Sequence, residues 1–185
     1  MSDLVHVVID LETMGTQPGC AVVAIGAVVV DPSNTDNPLG DTFSEQITME
    51  SNVAHGLRLE PDTVRWWLDQ SDTARASVAG ASASLQSALI RFDDFLNDAC
   101  GGDRNRLRIW GYGSDFDNAV LAAAYRAVGF DVGWPYWANR CLCTLLATHP
   151  VERVKPEVPH IALNDAIAQA RTLVVITDKY NLTHT

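Results

Sequence analysis

The chain is short of positive charge, of cysteine and of long apolar runs, and each shortage removes a class of function. Its 13 lysines and arginines face 23 aspartates and glutamates, a formal net charge of -10 over 185 residues. A protein of that balance does not hold nucleic acid by a broad cationic surface. Local metal ions and a few arginines can still grip a phosphodiester. No apolar run is long enough to span a bilayer, so no membrane partner is expected. Val5 to Ile9 is preceded by Ser2-Asp3, without the basic leader of a secretory signal. The four cysteines, Cys20, Cys100, Cys141 and Cys143, make no disulfide framework at this length and fit a reducing cytoplasm. Cys141-Leu142-Cys143 offers zinc-ligand types, but no second Cys/His pair at finger spacing accompanies it. Free, partly buried thiols are therefore expected. Internal repeats and low-complexity tracts are also missing.

What is present suffices for one core. At 47% hydrophobic, residues 1–185 can form a single domain, and two would be cramped. Residues 5–9 are a β-branched run interrupted only by His6, as in a buried strand, and 21–30 and 41–47 read as two more. Their short turns predict an antiparallel meander. Helical spacing begins at Pro61 (Val64, Trp67, Leu68), with proline at a favourable first position. Residues 74–84 are small and weakly patterned and read as a loop. A helix over 85–100 (Leu85, Leu89, Phe92, Leu96) stops before Gly101-Gly102. A strand over 107–110 and a helix over 115–128 follow, then helices over about 138–147 and about 162–180. The order describes an α/β fold: a mixed sheet flanked by helices.

Three islands within this layout carry acids suited to chemistry. In the first, strand period two puts Asp10 and Glu12 on one face and Leu11 on the other. Two adjacent carboxylates on an apolar strand repel each other and cost desolvation, which a metal ion relieves. Two solvated acids at a fraying strand end would look the same in sequence. In the second, Ser114-Asp115-Phe116-Asp117-Asn118 opens a helix. Ser114 and Asp117 fit a capping box, and Asp115 rivals Asp117 as a ligand. In the third, His160 and Asp165 lie about 140° apart on an ideal helix and cannot share a face. Pro159 places His160 in the loop at the helix entrance, with Asp165 on the helix. Together the islands supply hard-cation ligands and a base, the equipment of a two-metal site.

In this order the islands resemble the DEDDh (DnaQ-like) 3′→5′ exonuclease family, which has a ribonuclease H-like fold. Asp10 to Thr13 matches its Asp-x-Glu-Thr motif, Phe116-Asp117 with Leu121 its second motif, and His160, Ala162 and Asp165 its third. Asp62-Thr63-Val64-Arg65-Trp66-Trp67 with Gln70-Ser71, and Trp110-Gly111, resemble a branch containing phage exonuclease A, exonuclease VIII-like proteins and mycobacterial exoribonucleases. Gly113-Ser114 departs from the family, many of whose members carry Asn upstream of Phe-Asp.

The resemblance implies three antiparallel strands followed by parallel ones. It implies that Asp10, Glu12 and Asp165 hold one Mg2+ or Mn2+, and that Asp10 and Asp117 hold a second. His160 would be the general base, and nucleoside 5′-monophosphates would leave single-stranded RNA or DNA from the 3′ end. Thr13 and Met14 would face the terminal nucleotide. Trp66 and Trp67 point about 100° apart, so one is expected in the core and the other is free to stack on a base. Arg65 is the nearest cation for a phosphate, or an exposed ion-pairing residue. A rival from another class is a catalytically silent binding module of the same fold, but all four acids and the histidine are present. A homodimer is compatible with the sequence.

Overall fold

A computed structural model describes residues 4–182 of the protein. The chain runs through β1 (Val5–Thr13), β2 (Val22–Val30), β3 (Leu39–Gln46), α1 (Met49–Ala54), α2 (Pro61–Leu68), α3 (Asp72–Ala79) and α4 (Leu85–Cys100). It continues through β4 (Leu107–Gly111), α5 (Asp117–Ala127), β5 (Asn139–Cys141), α6 (Leu142–Thr148) and α7 (Ala162–Tyr180). One sheet of order β3-β2-β1-β4-β5 results. The first three strands pair antiparallel, and β4 and β5 add in parallel on the other side of β1. This is the mixed sheet that the layout predicts.

Strand alternation divides the core between two faces. Val7, Ile9 and Leu11 pack with Leu89, Phe92 and Leu96 of α4 and with Val120 and Leu121 of α5. Val8 and Val28 turn the other way, onto Trp110 and onto Ala166, Ala170 and Leu173 of α7. Asp10 and Glu12 share parity with Val8 and so lie on the α7 face.

Several elements differ from expectation. β1 runs four residues past Ile9, so Asp10 and Glu12 sit within paired strand, opposite Gly26 and Ala24. The fraying-end reading is thereby removed. Residues expected as loop form α3, capped by the Ser71 side chain accepting from Ala74 N–H. Only Ala74 and Val78 of α3 are buried, too few to print a helical pattern. The expected helix over about 138–147 is two elements, the strand β5 and then α6. Helix α5 starts at Asp117 with Phe116 at its cap and no side-chain cap bond. Ser114 and Asp117 thus form no capping box. Among the described residues no helix is long and apolar enough to cross a membrane.

Candidate active site

Two glycines decide where the site can exist. A Cβ on Gly26 would lie 2.2 Å from the Ala162 carbonyl carbon and 2.3 Å from Leu163 N. The missing side chain lets the first turn of α7 rest on β2, directly across from Asp10. A Cβ on Gly111 would fall 2.8 Å from Asp117 Cβ and 2.7 Å from Asn118 Oδ1. The bare end of β4 therefore accepts the first turn of α5. Acids from a strand and two helices meet at one end of the sheet because backbone approaches backbone at these two positions.

Carboxylate oxygens of Asp10, Glu12 and Asp165 lie within 4.8 Å of one another. Asp117 is buried beside them, its Oδ2 accepting from Tyr112 N–H at 3.1 Å. Asp10 Oδ1 accepts from Gln169 Nε2 at 2.6 Å. Gln169 follows Asp165 by four residues, one turn along the same face of α7. Glu12 Oε1 is buried with no hydrogen-bond partner, and none of the four acids joins any of the ion pairs among the described residues.

The electrostatics follow from this crowding. Burial, then the charges of Asp117, Glu12 and Asp165, hold Asp10 well above the usual carboxylate range. Burial and the charges of Asp165 and Asp117 raise Glu12 to about 8. Burial also raises Asp117 against several backbone N–H donors, and raises Asp165 against the His160 N–H. Four acids that resist ionisation, Glu12 and Asp117 buried and Asp10 and Asp165 half-buried, with one oxygen unpartnered, fit a divalent cation with hard-oxygen preference. The two half-exposed thiols Cys141 and Cys143, 3.1 Å apart, are free and form no part of this cluster.

His160 stands at the entrance to α7 with φ 62°, a left-handed conformation that side chains seldom adopt. Two bonds hold it there. Its N–H donates to Asp165 Oδ2 at 2.8 Å, and its carbonyl accepts from Ser77 Oγ at 3.3 Å. Its ring meets Trp66 edge-on at 5.0 Å and Trp67 at 6.5 Å. Trp67 is the core member of the pair, 4% exposed with Nε1 donating to Thr13 O, whereas Trp66 is 43% exposed. Beside the acids opens a cleft of about 430 Å³ whose walls include Glu12, Thr13, Thr16, Trp66, Trp67 and Phe116.

Two expected substrate contacts are placed differently. The Met14 side chain is buried in the core and is not among the cleft walls, because its backbone is pinned to Ala21 and Glu60. Arg65 is exposed and pairs with Asp62 at 3.3 Å, and it is Asp62, with Thr63, that lines the cleft. Gln169, Thr16 and the role of Gly26 went unread in the sequence. The only signal for Gln169 was its four-residue offset from Asp165.

A mixed sheet of this order, with four acids gathered at the end of its first strand, is a ribonuclease H-like frame carrying an acid cluster of the kind that can hold a cation. The chain belongs to the family described as the 3′-5′ exoribonuclease Rv2179c-like domain, whose profile matches residues 5–177. It is similar to an exodeoxyribonuclease of Enterobacteria phage T4, 27% identical over 131 residues, covering 65% of this chain and 56% of that protein. Among solved structures it resembles E. coli exonuclease I in complex with a dT13 oligonucleotide, with TM-score 0.63 and 14% identity, over 97% of this chain and 41% of that one. It also resembles the nuclease domain of 3′hExo, a DEDDh family member bound to rAMP, with TM-score 0.60 and 13% identity, over 95% and 92% of the two chains. The chain thus spans little more than half the length of the phage relative.

Proposed function

We propose that the protein is a metal-dependent 3′→5′ exonuclease that releases nucleoside 5′-monophosphates from single-stranded RNA or DNA. The observation carrying this reading is the convergence of Asp10, Glu12 and Asp165, with Asp117 beside them, next to an aromatic-walled cleft. Two Mg2+ or Mn2+ ions held by these acids would supply Lewis acidity at the scissile phosphate. His160, held at the entrance of α7 by Asp165 and Ser77, accepts the proton of the attacking water at its imidazole. The water oxygen ends on the phosphate of the released nucleotide, and the 3′ oxygen of the shortened strand takes up a proton. Trp66 stacks the terminal base while Trp67, fixed to Thr13, backs it. Gln169 holds the Asp10 carboxylate in the orientation that faces Glu12 and Asp165. The four free thiols favour a reducing, cytoplasmic setting.

The dT13 and rAMP in the two similar structures motivate the choice of a single-stranded end of either sugar. The test is incubation with RNA and DNA oligonucleotides blocked at the 3′ or the 5′ end, with Mg2+, with Mn2+ and with chelator. Mononucleotide release that a 3′ block stops and a 5′ block does not is the expected result. Cleavage of a circular strand, or full activity of metal-stripped protein in chelator, overturns the reading.

A further inference from the structure

Away from the carboxylate centre, two arginines stand out by what they lack. Arg108 lies on β4 and Arg140 on β5, and both project from the same sheet face, since Arg140 pairs with Trp110 and Arg108 with His6. Arg75, Arg104, Arg108 and Arg140 are half-buried. Arg75 and Arg104 each hold an aspartate. Arg108 and Arg140 pair with no carboxylate among the described residues, although the chain is strongly acidic.

Their hydrogen bonds show which edge of each guanidinium is spoken for. Arg108 donates from Nη1 to the carbonyls of Asn105 and Leu107, and Arg140 from Nη1 to those of Trp137 and Asn139. No bond among the described residues uses Nε or Nη2 of either, and Arg108 Nε is buried without a partner. The Nε–Nη2 edge is the fork that receives two oxygens of one anion; backbone orients both guanidiniums, leaving the whole fork of Arg140 free, whereas Arg108, with its Nε buried, has Nη2 to offer. Two like charges on one face repel: after burial, the Arg108 charge lowers the proton affinity of Arg140, and after burial both arginines lower that of His6 on the adjoining β1. An anion would relieve that repulsion. Beside them at the sheet edge, in the turn that Arg140 anchors, Tyr136 and Trp137 are 82% and 52% exposed, edge-on to each other at 5.2 Å.

We propose that Arg108 and Arg140 with Tyr136 and Trp137 form a second nucleotide-binding site, in which the Arg140 fork, seconded by Arg108 Nη2, holds a phosphate and an exposed ring stacks on the attached base. The phosphate could belong to a strand or to a free mononucleotide, and the two share this chemistry. The base-stacking half rests on the reading that the chain acts on nucleic acid, whereas the anion half does not.

Binding measured in chelator, where the proposed cleavage is silent, separates the two. A 5′-fluorescein dodecamer, UMP and inorganic phosphate are titrated against wild type, Arg108→Gln/Arg140→Gln, Arg140→Lys and Trp137→Ala, with thermal melts to verify folding. The double variant is expected to bind the dodecamer on the order of tenfold or more weakly, with a salt slope shallower by about 0.7 for each phosphate lost. Trp137→Ala is expected to weaken it roughly tenfold. Arg140→Lys, which keeps the charge and loses the fork, should fall between. Loss of UMP binding with dodecamer binding intact would also support the site and assign it to free nucleotides. If the double variant does not fold, Arg140→Gln and Trp137→Ala decide alone. Wild-type affinity of the folded variants for all three probes, or an equal loss in an exposed control such as Arg126→Gln, overturns the proposal. Absence of 3′ trimming alongside these losses would refute the proposed activity and leave the site standing.

Discussion

Replacing Glu12 by glutamine should make the metal-free protein more stable and deprive it of its response to metal. Glu12 is 7% exposed and its carboxyl is raised from an ordinary 4.5 to about 8. A group raised on folding contributes stability in full below its unfolded value and loses it as pH climbs through the folded one. For Glu12 that loss runs from about pH 4.5 to beyond pH 8. At 1.36 kcal/mol per tenfold, forcing the charge into the site costs about 4 kcal/mol at pH 8. Relaxation and water entry reduce such penalties, so Glu12→Gln is expected to recover about 2 kcal/mol. In a chain of this size that is a melting shift of roughly 4–8 °C. Melts of both proteins in chelator between pH 5 and 9 should coincide near pH 5 and diverge upward, the variant being the more stable. Saturating Mn2+ should reverse the order, since a cation at a hundred times its dissociation constant adds about 2.7 kcal/mol to wild type. A variant less stable than wild type at pH 8 in chelator, with an undiminished Mn2+ shift, would refute the argument.

Asp117→Asn should abolish nuclease activity while Asp115→Asn keeps most of it, because Asp117 is buried at the cluster and Asp115 is exposed before α5; the two turnover numbers decide. His160→Ala should lower turnover roughly 10²–10⁴-fold while calorimetry still detects Mn2+ binding, since all four carboxylates remain. Gln169→Leu removes the bond to Asp10 and should weaken Mn2+ binding by about tenfold in the same titration, whereas outer-surface Arg171→Leu should not. Burial pushes the Cys141 thiol up, but bonds from Thr144, Ser114 and Cys143 outweigh it and bring it down to about 7. Iodoacetamide at pH 7.5 should therefore modify Cys141 before the buried Cys20 and Cys100, as peptide mass mapping would show.

The parts legible in sequence were those with a period or a motif. β1 opens on a β-branched run and β2 is apolar throughout, α4 repeats its leucines at helical spacing, and the three acid islands match a family pattern. α1 escaped because it is six residues long with only Asn52 buried. β5 escaped because three residues cannot display alternation. Gln169 read as an ordinary helix residue, since its partner Asp10 lies 159 positions away. Gly26 looked like a neutral gap in an apolar strand, and its meaning exists only once α7 is laid against it. Met14 is given a place at the terminal nucleotide by the resemblance alone, whereas backbone bonds to Ala21 and Glu60 accompany a side chain buried in the core.

The seat of α7 on Gly26 has a consequence for how the protein comes into being. Asp10 belongs to β1 and Asp165 to α7, which follows every strand of the sheet along the chain, so the acid cluster stays incomplete until α7 has been made. A nascent chain that has already paired β1, β2 and β3 still lacks Asp165, Gln169 and the His160 loop. Such an intermediate has only part of the acid cluster in place. Covering the Val8 and Val28 face of the sheet with α7 and gathering the four acids are then one event.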